Sequence, residues 1–392
     1  MNGDYTHPNL RKNLKKSELA ILVYIITISL SVMYATQPLQ PLLAKVFKVG
    51  VIQASAFTAV MLFSLAIAPI IYGYILESFC AKKMLKIATI ILFVTNLFLG
   101  FSDTYEVFLS LRIVEGLVIP AILTSVMSIL ANASKHNVKF NMSIYVASTI
   151  LGGIIGRVLS GAISSSFGWR AVFFSLSIEL LVALYLVHKI SYEGEAKLIK
   201  ASLSDIVFIL KDRRFIIVYI LMFTVFFVFG GLLNILPFRV KELNPNSSEA
   251  QIGLMYLGYS TGIIVSLFSH KIVKFFKTEI RTIIFATIFF NFIIISFIIK
   301  NQIVMFVMLF ILCIGMFTIH TISSGLANSM KQDRRSLTSG MYLTFYYIGG
   351  SIGSIIPAMI YQRFGWNITI LMFTCILFFV VIFLLFNKKY FT

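Results

Sequence analysis

Four ionisable side chains stand inside long apolar runs of the sequence, where a charge needs a partner or water. They are Arg112, Glu115, Arg157 and Glu179. Arg112 and Glu115 are three residues apart, so an α-helix would place them one turn apart on the same face. Charged groups in apolar surroundings are costly and commonly mark proton or ion pathways. These residues therefore point either to proton transfer or to a buried ion pair that fixes helix packing.

The depths of these charges predict a cluster around Glu115. Arg112 and Arg157 lie in successive apolar runs, at about the same distance from the same surface, roughly 10–13 Å at a rise of about 1.5 Å per residue. We expect Glu115 to be held ionised between the two arginines and to take up a proton when one of them moves away. The alternative is a static ion pair. Glu179 would be a second proton site, a partner for Arg157, or a structural residue.

Six further polar residues occupy apolar runs and are candidate contacts for a bound molecule. They are Tyr34, Gln37, Asn234, His320, Tyr342 and Tyr346. Each has a structural alternative, because tyrosine is common at membrane interfaces and a histidine inside a packed helix is commonly a hydrogen-bonded structural residue.

The composition favours lipid as the main solvent of the chain. The sequence is 59% hydrophobic and only 12% charged, whereas soluble domains contain about 25% charged residues. A helix that crosses a bilayer needs about 20 apolar residues. Runs of this kind cover 19–43, 53–76, 83–101, 106–132, 140–164, 168–188, 214–238, 249–270, 280–300, 302–326, 336–361 and 366–387. The sequence therefore predicts an all-α membrane protein with twelve transmembrane helices and no large soluble domain.

The distribution of charge predicts the orientation of these helices. The net charge is +18, and most Lys and Arg residues lie in the two termini and in the loops on the same side of the membrane. This positive-inside pattern places both termini in the cytoplasm. Because topology accounts for the basicity, nucleic-acid binding is not expected. Cys80, Cys313 and Cys375 are far apart, which argues against a disulfide framework and a metal site.

An internal repeat divides the chain into two halves. The stretch GGIIGRVLSGAISSSFGWR at 152–170 reappears as GGSIGSIIPAMIYQRFGWN at 349–367, and the two tryptophans of the protein coincide. Small residues three and four apart allow membrane helices to pack closely. The expected units are a cytoplasmic tail 1–18, a six-helix bundle 19–188, a cytoplasmic linker 189–213, a second six-helix bundle 214–387 and a tail 388–392. The basic linker should lie against anionic lipid.

The repeat and several motifs together resemble the major facilitator superfamily, whose two six-helix halves enclose a central site. The stretch LRIVEGLVIPA is similar to the R-x-x-Q-G element of its drug:proton antiporter group, with Glu115 in place of glutamine. By this resemblance Arg112 takes part in proton coupling. The stretches YATQPLQPLLA, NILPFRV, IHTISSG and YLTFYYIGGSIG, and the form GGxxGR that ends at Arg157, resemble a bacterial subgroup called arabinose-efflux-type permeases.

A second family motif is present in altered form. The stretch GYILESFCAKK is similar to the loop motif G-x-x-x-D-R-x-G-R-[KR]. Gly73 matches the first glycine, Glu77 replaces the aspartate, and Lys82 and Lys83 fall in the basic tail of the motif, whereas Cys80 replaces the second glycine. In the family this loop forms a charge lock at the cytoplasmic face. The lock should be weaker in this chain, because Ser78 replaces an arginine and cannot form a bidentate pair.

The resemblance implies a secondary transporter that works by alternating access, with proton-coupled export of a small organic solute as the expected activity. The implied partners are that solute and membrane lipid, and nucleic acid is not among them. The proton gradient would supply energy without a cofactor, and the protein would be a monomer in a bacterial inner membrane. No phosphate-binding loop or catalytic triad pattern is present, so enzymatic activity is not expected. The alternatives are an uncoupled facilitator, a lipid flippase, which would need a wide lateral opening, and a membrane sensor or binding protein that moves nothing.

Overall fold

The computed structural model of the chain describes residues 15–75, 80–132, 138–191, 203–331 and 335–391. Within these ranges the apolar runs form helices joined by short connections. The α-helices are α1 (Lys16–Tyr34), α2 (Gln40–Val46), α3 (Val51–Ile75), α4 (Ala81–Phe101), α5 (Tyr105–Asn132), α6 (Val138–Phe167), α7 (Trp169–Val187), α8 (Leu203–Lys211), α9 (Arg213–Leu243), α10 (Glu249–Met255), α11 (Thr261–Phe276), α12 (Glu279–Ile295), α13 (Gln302–Ser329) and α14 (Arg335–Asn387). Short 3₁₀ helices cover Tyr256–Ser260, Ser296–Ile298 and Lys388–Phe391.

Eleven helical segments of the described residues are long and apolar enough to cross a membrane. The eleventh covers α14 from Leu337 onward, and α14 breaks at Gly365, where φ is 80° and ψ is 178°. At about 1.5 Å per residue, its N-terminal arm (335–364) and its C-terminal arm (366–387) each exceed the roughly 30 Å of a bilayer core. With the two arms counted separately, the described helices agree with the twelve predicted crossings, and the all-α membrane fold is confirmed.

Two of the predicted spans are interrupted. The run 19–43 is divided into α1 and α2 by a short turn that contains Pro38, because proline has no N–H to continue the helical hydrogen bonds. The run 249–270 consists of α10, a 3₁₀ turn and α11. The predicted tail 1–18 and linker 189–213 lie partly outside the described residues, and α8 falls within the linker.

The glycines of the repeat bring helices into close contact in both halves. A Cβ atom added at Gly152 would lie 2.5 Å from a carbonyl oxygen of α1, and one added at Gly349 would lie 2.1 Å from a carbonyl oxygen of α9. Thus α6 packs on α1 as the N-terminal arm of α14 packs on α9. The turns that follow are at Gly168 and Gly365, whose φ values of 83° and 80° favour glycine. The close packing expected from the repeat is confirmed.

The helices cross the bundle in alternating directions between two faces. The terminal face is the end at which α1 begins and α14 ends, and the far face is the end at which α6 and the N-terminal arm of α14 finish. The two halves, α1–α7 and α9–α14, meet chiefly along two seams. In the α3–α14 seam, Thr344 donates a hydrogen bond to the carbonyl oxygen of Ala66 at 3.0 Å, and Ser351 donates to that of Ala59 at 2.9 Å.

The second contact, the α6–α10 seam, is confined to the region near the far face. A Cβ atom added at Gly161 would lie 2.3 Å from the carbonyl oxygen of Glu249. The amide of Ala250 donates to the hydroxyl of Ser165 at 2.9 Å. Because α6 and α10 touch only there, the two halves leave space between them on the side of the terminal face.

Candidate functional site

A cavity of about 320 Å³ lies in this space between the two halves. Its walls come from α1, α6, α11, α13, the N-terminal arm of α14 and the 3₁₀ turn before α11. The residues with side chains of most chemical interest are Tyr34, Arg157, Tyr259, His320, Tyr346 and Tyr347. Because α6 begins at the terminal face, its lining residue Val146 lies near the mouth and Arg157 lies at the deep end.

Arg157 is held by hydrogen bonds and aromatic rings, and only 1% of its surface is exposed. Its Nε donates to Oε1 of Gln37 at 2.6 Å, and its Nη1 donates to a carbonyl oxygen of its own helix at 2.8 Å. The guanidinium carbon lies 3.9 Å from the ring centroid of Tyr34 and 4.9 and 5.0 Å from those of Tyr259 and Tyr256. Cation–π contacts of this kind partly replace the lost hydration.

The facing wall is formed by His320 and Tyr346. The hydroxyl of Tyr342 lies 2.9 Å from Nδ1 of His320 and 3.0 Å from its carbonyl oxygen. The ring of Tyr346 stacks on Phe226 with centroids 3.8 Å apart and lies 4.8 Å from the imidazole. The structure therefore places Tyr346 and His320 in the cavity wall, with Tyr342 behind His320, where it fixes the imidazole.

Gln37 and Asn234 do not belong to the cavity wall. Gln37 stands behind Arg157 and orients its guanidinium. Asn234 is fully buried, accepts a hydrogen bond from Nε2 of Gln40 at 2.6 Å and donates to the carbonyl oxygen of Ser55 at 3.3 Å. Gln40 and Ser55 belong to the first half of the chain and Asn234 to the second. Instead of facing the cavity as expected, Asn234 thus forms a latch between the halves, the Gln40–Asn234 latch.

Arg112 and Glu115 form a fully buried ion pair on α5, with Nη1 and Oε2 2.8 Å apart. The guanidinium also donates to the carbonyl oxygens of Val32 at 3.0 Å and Met33 at 2.7 Å. These carbonyls belong to the last turn of α1, where helical partners are missing. The Oε1 atom of Glu115 and the Nε atom of Arg112 are buried without a hydrogen-bond partner among the described residues.

The predicted three-membered cluster is not formed. No carboxylate of the described residues lies within 4.0 Å of Arg157. The physical reason is the position of α1, whose C-terminal end lies between the arginines, so that Arg112 reaches it from α5 and Arg157 from α6. Glu179 is no partner for Arg157 either, because it is exposed on the outside of the bundle and accepts a hydrogen bond from the hydroxyl of Tyr24.

The altered loop motif lies only partly within the described residues. Glu77 is outside the described residues, and Gly73 lies in α3. Lys82 and Lys83 are in the first turn of α4. The charge lock implied by the resemblance therefore stays a prediction.

Four of the residues described above were not among the sequence candidates, namely Gln40, Tyr256, Tyr259 and Tyr347. The tyrosines did not stand out because aromatic residues are abundant throughout the sequence, although the spacing of Tyr256 and Tyr259 by three residues places these two on one helical face. Gln40 follows Gln37 within QPLQP, and a polar residue between two prolines in an apolar run was the available signal for it.

Comparison with known proteins agrees with the fold. The family profile described as Major Facilitator Superfamily matches residues 21–354. An uncharacterised transporter of Buchnera aphidicola subsp. Schizaphis graminum is 22% identical over 352 residues, which cover 87% of this chain and 84% of that protein. The inner membrane transport protein YnfM of Escherichia coli strain K12 is 21% identical over 351 residues, covering 86% and 82%. The crystal structure of a bacterial homologue of the human lysosomal transporter Spinster, inward-facing and unoccupied, matches with a TM-score of 0.78 and 13% identity over 95% of this chain and 96% of that chain.

Proposed function

The chain belongs to the major facilitator superfamily, and from this premise we propose that it exports a small organic solute in exchange for protons. The family and the relatives are membrane transporters, so the chain is a secondary transporter rather than an enzyme. The finer assignment to the drug:proton antiporter group and its arabinose-efflux-type subgroup is supported by the sequence motifs around Arg112 and in the first, fifth, seventh, tenth and eleventh spans.

The observation that carries proton coupling is the buried Arg112–Glu115 pair. One carboxyl oxygen of Glu115 is bonded to the guanidinium, and the other has no hydrogen-bond donor among the described residues. If Arg112 withdraws, the carboxylate is left buried without a counter-charge. An isolated buried charge is strongly unfavourable, so Glu115 would then take up a proton at its unpartnered oxygen.

The C-terminal end of α1 links this proton site to the cavity. Arg112 holds two carbonyl groups of that end, while Tyr34 and Gln37 at the same end contact Arg157. A change at Glu115 that releases Arg112 would therefore move the turn that positions Arg157. Coupled transport requires that two sites bias the same element, and α1 meets this requirement.

The terminal face is assigned to the cytoplasm of a bacterial inner membrane, because the loops on that face carry most of the positive charge. The cavity then opens toward the cytoplasm, while the α6–α10 seam and the Gln40–Asn234 latch close the far face. This is an inward-facing state, suited to loading a solute for export. The proton gradient supplies the energy without a cofactor, and the working unit is a monomer in contact with lipid and solute.

Proteoliposomes that contain a pH-sensitive dye test the coupling. A proton gradient is imposed, and L-arabinose, benzoate and ethidium are added in turn as neutral, anionic and cationic probes. The wild type should move protons when a transported probe is added. So should Glu106→Gln, the matched control, which changes an exposed carboxylate of the same helix. Glu115→Gln keeps the side-chain shape but cannot exchange a proton, so its solute-linked proton flux should fall to the level of protein-free liposomes.

A different outcome would identify an uncoupled facilitator. If a probe crosses without proton movement in the wild type, and equally fast in Glu115→Gln, proton coupling is refuted. The buried pair would then serve only to cap the carbonyl groups of α1.

A further inference from the structure

We propose that the solute is a small organic anion whose acidic group binds Arg157 at the deep end of the cavity. The chemical class is a small ionised carboxylic acid with an apolar body. This deepens the proposed function and rests on it for the transport step, whereas the binding site rests on the contacts of Arg157 themselves.

Arg157 is a buried cation without a counter-charge among the described residues. No Asp or Glu of those residues lies within 4.0 Å of it, and none lines the cavity. A charge at this depth of a membrane protein normally faces a partner of opposite sign. Arg112, at a similar depth on the neighbouring helix, has such a partner in Glu115. The deep end of the cavity therefore lacks the negative charge that an anionic solute would supply.

The guanidinium keeps one edge available for such a group. Its Nε and Nη1 atoms bond to Gln37 and to the carbonyl oxygen of Gly153. The phenol groups of Tyr34 and Tyr259 also interact with the guanidinium, but they carry no charge, so the Nη1–Nη2 edge has no anionic partner among the described residues. Arginine binds carboxylates through two parallel N–H groups of its planar fork. Since Nη1 and Nη2 each carry two hydrogens, a carboxylate can approach this edge from the cavity without displacing Gln37.

The walls beside Arg157 suit an apolar and planar body. The ring of Tyr34 lies against the guanidinium, the stacked ring of Tyr346 faces it from α14, and Phe317 lines the same space. The volume of about 320 Å³ is at the lower end of ligand cavities, which range from about 300 to 1,000 Å³. The cavity therefore admits a small aromatic or short-chain acid, and its cation disfavours amines of the same shape.

Binding of an anion at Arg157 would also act on the closure of the far face. Tyr256 and Tyr259 belong to the other half and face the guanidinium at 5.0 and 4.9 Å. Cation–π attraction depends on the charge of the cation, so neutralisation by an anion weakens these contacts across the α6–α10 seam. A solute of this class thus affects the closed and open states differently, as a ligand must in order to shift their populations.

Equilibrium binding to the purified full-length protein in detergent tests the class without a proton gradient. The probes are benzoate, benzamide and benzylamine, which share a ring and differ in charge, measured by isothermal titration calorimetry at neutral pH. Benzoate should bind, benzamide should bind at least about tenfold more weakly because it cannot form a charge-assisted bond, and benzylamine should not bind.

Substitutions of Arg157 test whether its guanidinium binds the carboxylate. Arg157→Gln should weaken benzoate binding by about 10- to 100-fold, and Arg157→Lys, which keeps the charge but loses the planar fork, should fall between it and the wild type. Arg170→Gln is the matched control, because Arg170 follows α6 at the far face and pairs with Asp103 at 2.6 Å. It should bind benzoate as the wild type does.

Equal binding of benzamide and benzoate, a preference for benzylamine, or undiminished benzoate binding by Arg157→Gln would each overturn the proposal. So would the absence of binding by acetate, butyrate, benzoate and 1-naphthoate alike, because these acids cover the sizes that the cavity admits. If Arg157→Gln fails to fold, the ligand series measured on the wild type and on Arg157→Lys still tests the proposal. A failure of proton coupling in Glu115→Gln leaves these measurements unaffected, so the two proposals can fail separately.

Discussion

Replacement of Asn234 by alanine should release the far face of the protein. Asn234 accepts a hydrogen bond from Gln40 at 2.6 Å and donates to the carbonyl oxygen of Ser55 at 3.3 Å, so both bonds cross between the halves. Its third bond, to the carbonyl oxygen of Ser354, stays within one half and does not oppose opening. The substitution therefore removes two contacts that require a closed far face.

The expected magnitude follows from these distances. The bond of 2.6 Å is short and buried, whereas the bond of 3.3 Å exceeds the usual range for N–H···O and contributes little. Nε2 of Gln40 also donates to Thr58 at 3.0 Å, so its amide group retains a partner. A net loss of about 1 to 1.5 kcal/mol corresponds to a rise of about 5- to 13-fold in the fraction of molecules with an open far face.

A single cysteine at Ser55 measures this fraction. The side chain of Ser55 is fully buried and its hydroxyl has no hydrogen-bond partner among the described residues, so Ser55→Cys leaves the latch intact. The three native cysteines are replaced first. A small charged methanethiosulfonate, added on the side of the far face, then modifies the new thiol at a rate proportional to the open fraction. Addition of Asn234→Ala should raise this rate about 5- to 13-fold.

Asn96→Ala is the matched control for this experiment. Asn96 is equally buried, and it donates to the carbonyl oxygen of Phe173 at 2.8 Å and the hydroxyl of Ser177 at 3.0 Å, all within one half. Its loss should lower thermal stability without changing the labelling rate. An unchanged rate in Asn234→Ala, or an equal rise in Asn96→Ala, would refute a latch between the halves.

Two further predictions concern the packing of the repeat and are tested in thermal melts. Gly349→Ala would place a Cβ atom 2.1 Å from a backbone carbonyl oxygen of α9, so the free energy of unfolding should fall by about 1–3 kcal/mol. Gly325→Ala, with no atom within 4 Å of its Cβ, should leave Tm unchanged or raise it, and equal Tm values would contradict the packing argument. Trp366→Phe removes the indole N–H that donates to the carbonyl oxygen of Phe297 at 2.6 Å, which should destabilise the fold by about 1 kcal/mol or more; a wild-type Tm would show that this bond contributes nothing.

The number of membrane crossings and the closest helix contacts could be predicted from the sequence because both depend on local composition. An apolar run of bilayer length forms a helix wherever it occurs. Gly152 and Gly349 bring their helices against a neighbour because they lack a side chain, whatever that neighbour is. The break at Gly365 is predicted in the same way, because the Phe-Gly-Trp sequence centred on Gly168 is repeated around Gly365.

The partners of the buried charges could not be predicted, because the depth of a residue does not determine the rotation of its helix. Arg157 lies deep in its span as expected, but α1 separates it from Glu115 and provides Tyr34 and Gln37 as its contacts. The sequences of α5 and α6 contain no pattern that shows α1 to lie between the two arginines. Glu179 illustrates the same point. Its helix is apolar on every side, so the sequence does not show which face is turned outward.

The positions of the two seams predict how the halves would turn against each other. Thr344 and Ser351 join the α3–α14 seam over about two helical turns, so we expect this seam to act as the hinge and the α6–α10 seam to be the contact that separates. Displacement in such a rotation grows with distance from the hinge. Arg157 lies at the α6–α10 seam, where a small turn of the halves produces a large change in contact distance. A solute bound to Arg157 would therefore change the relative populations of the two open states far more than the same solute bound beside the hinge.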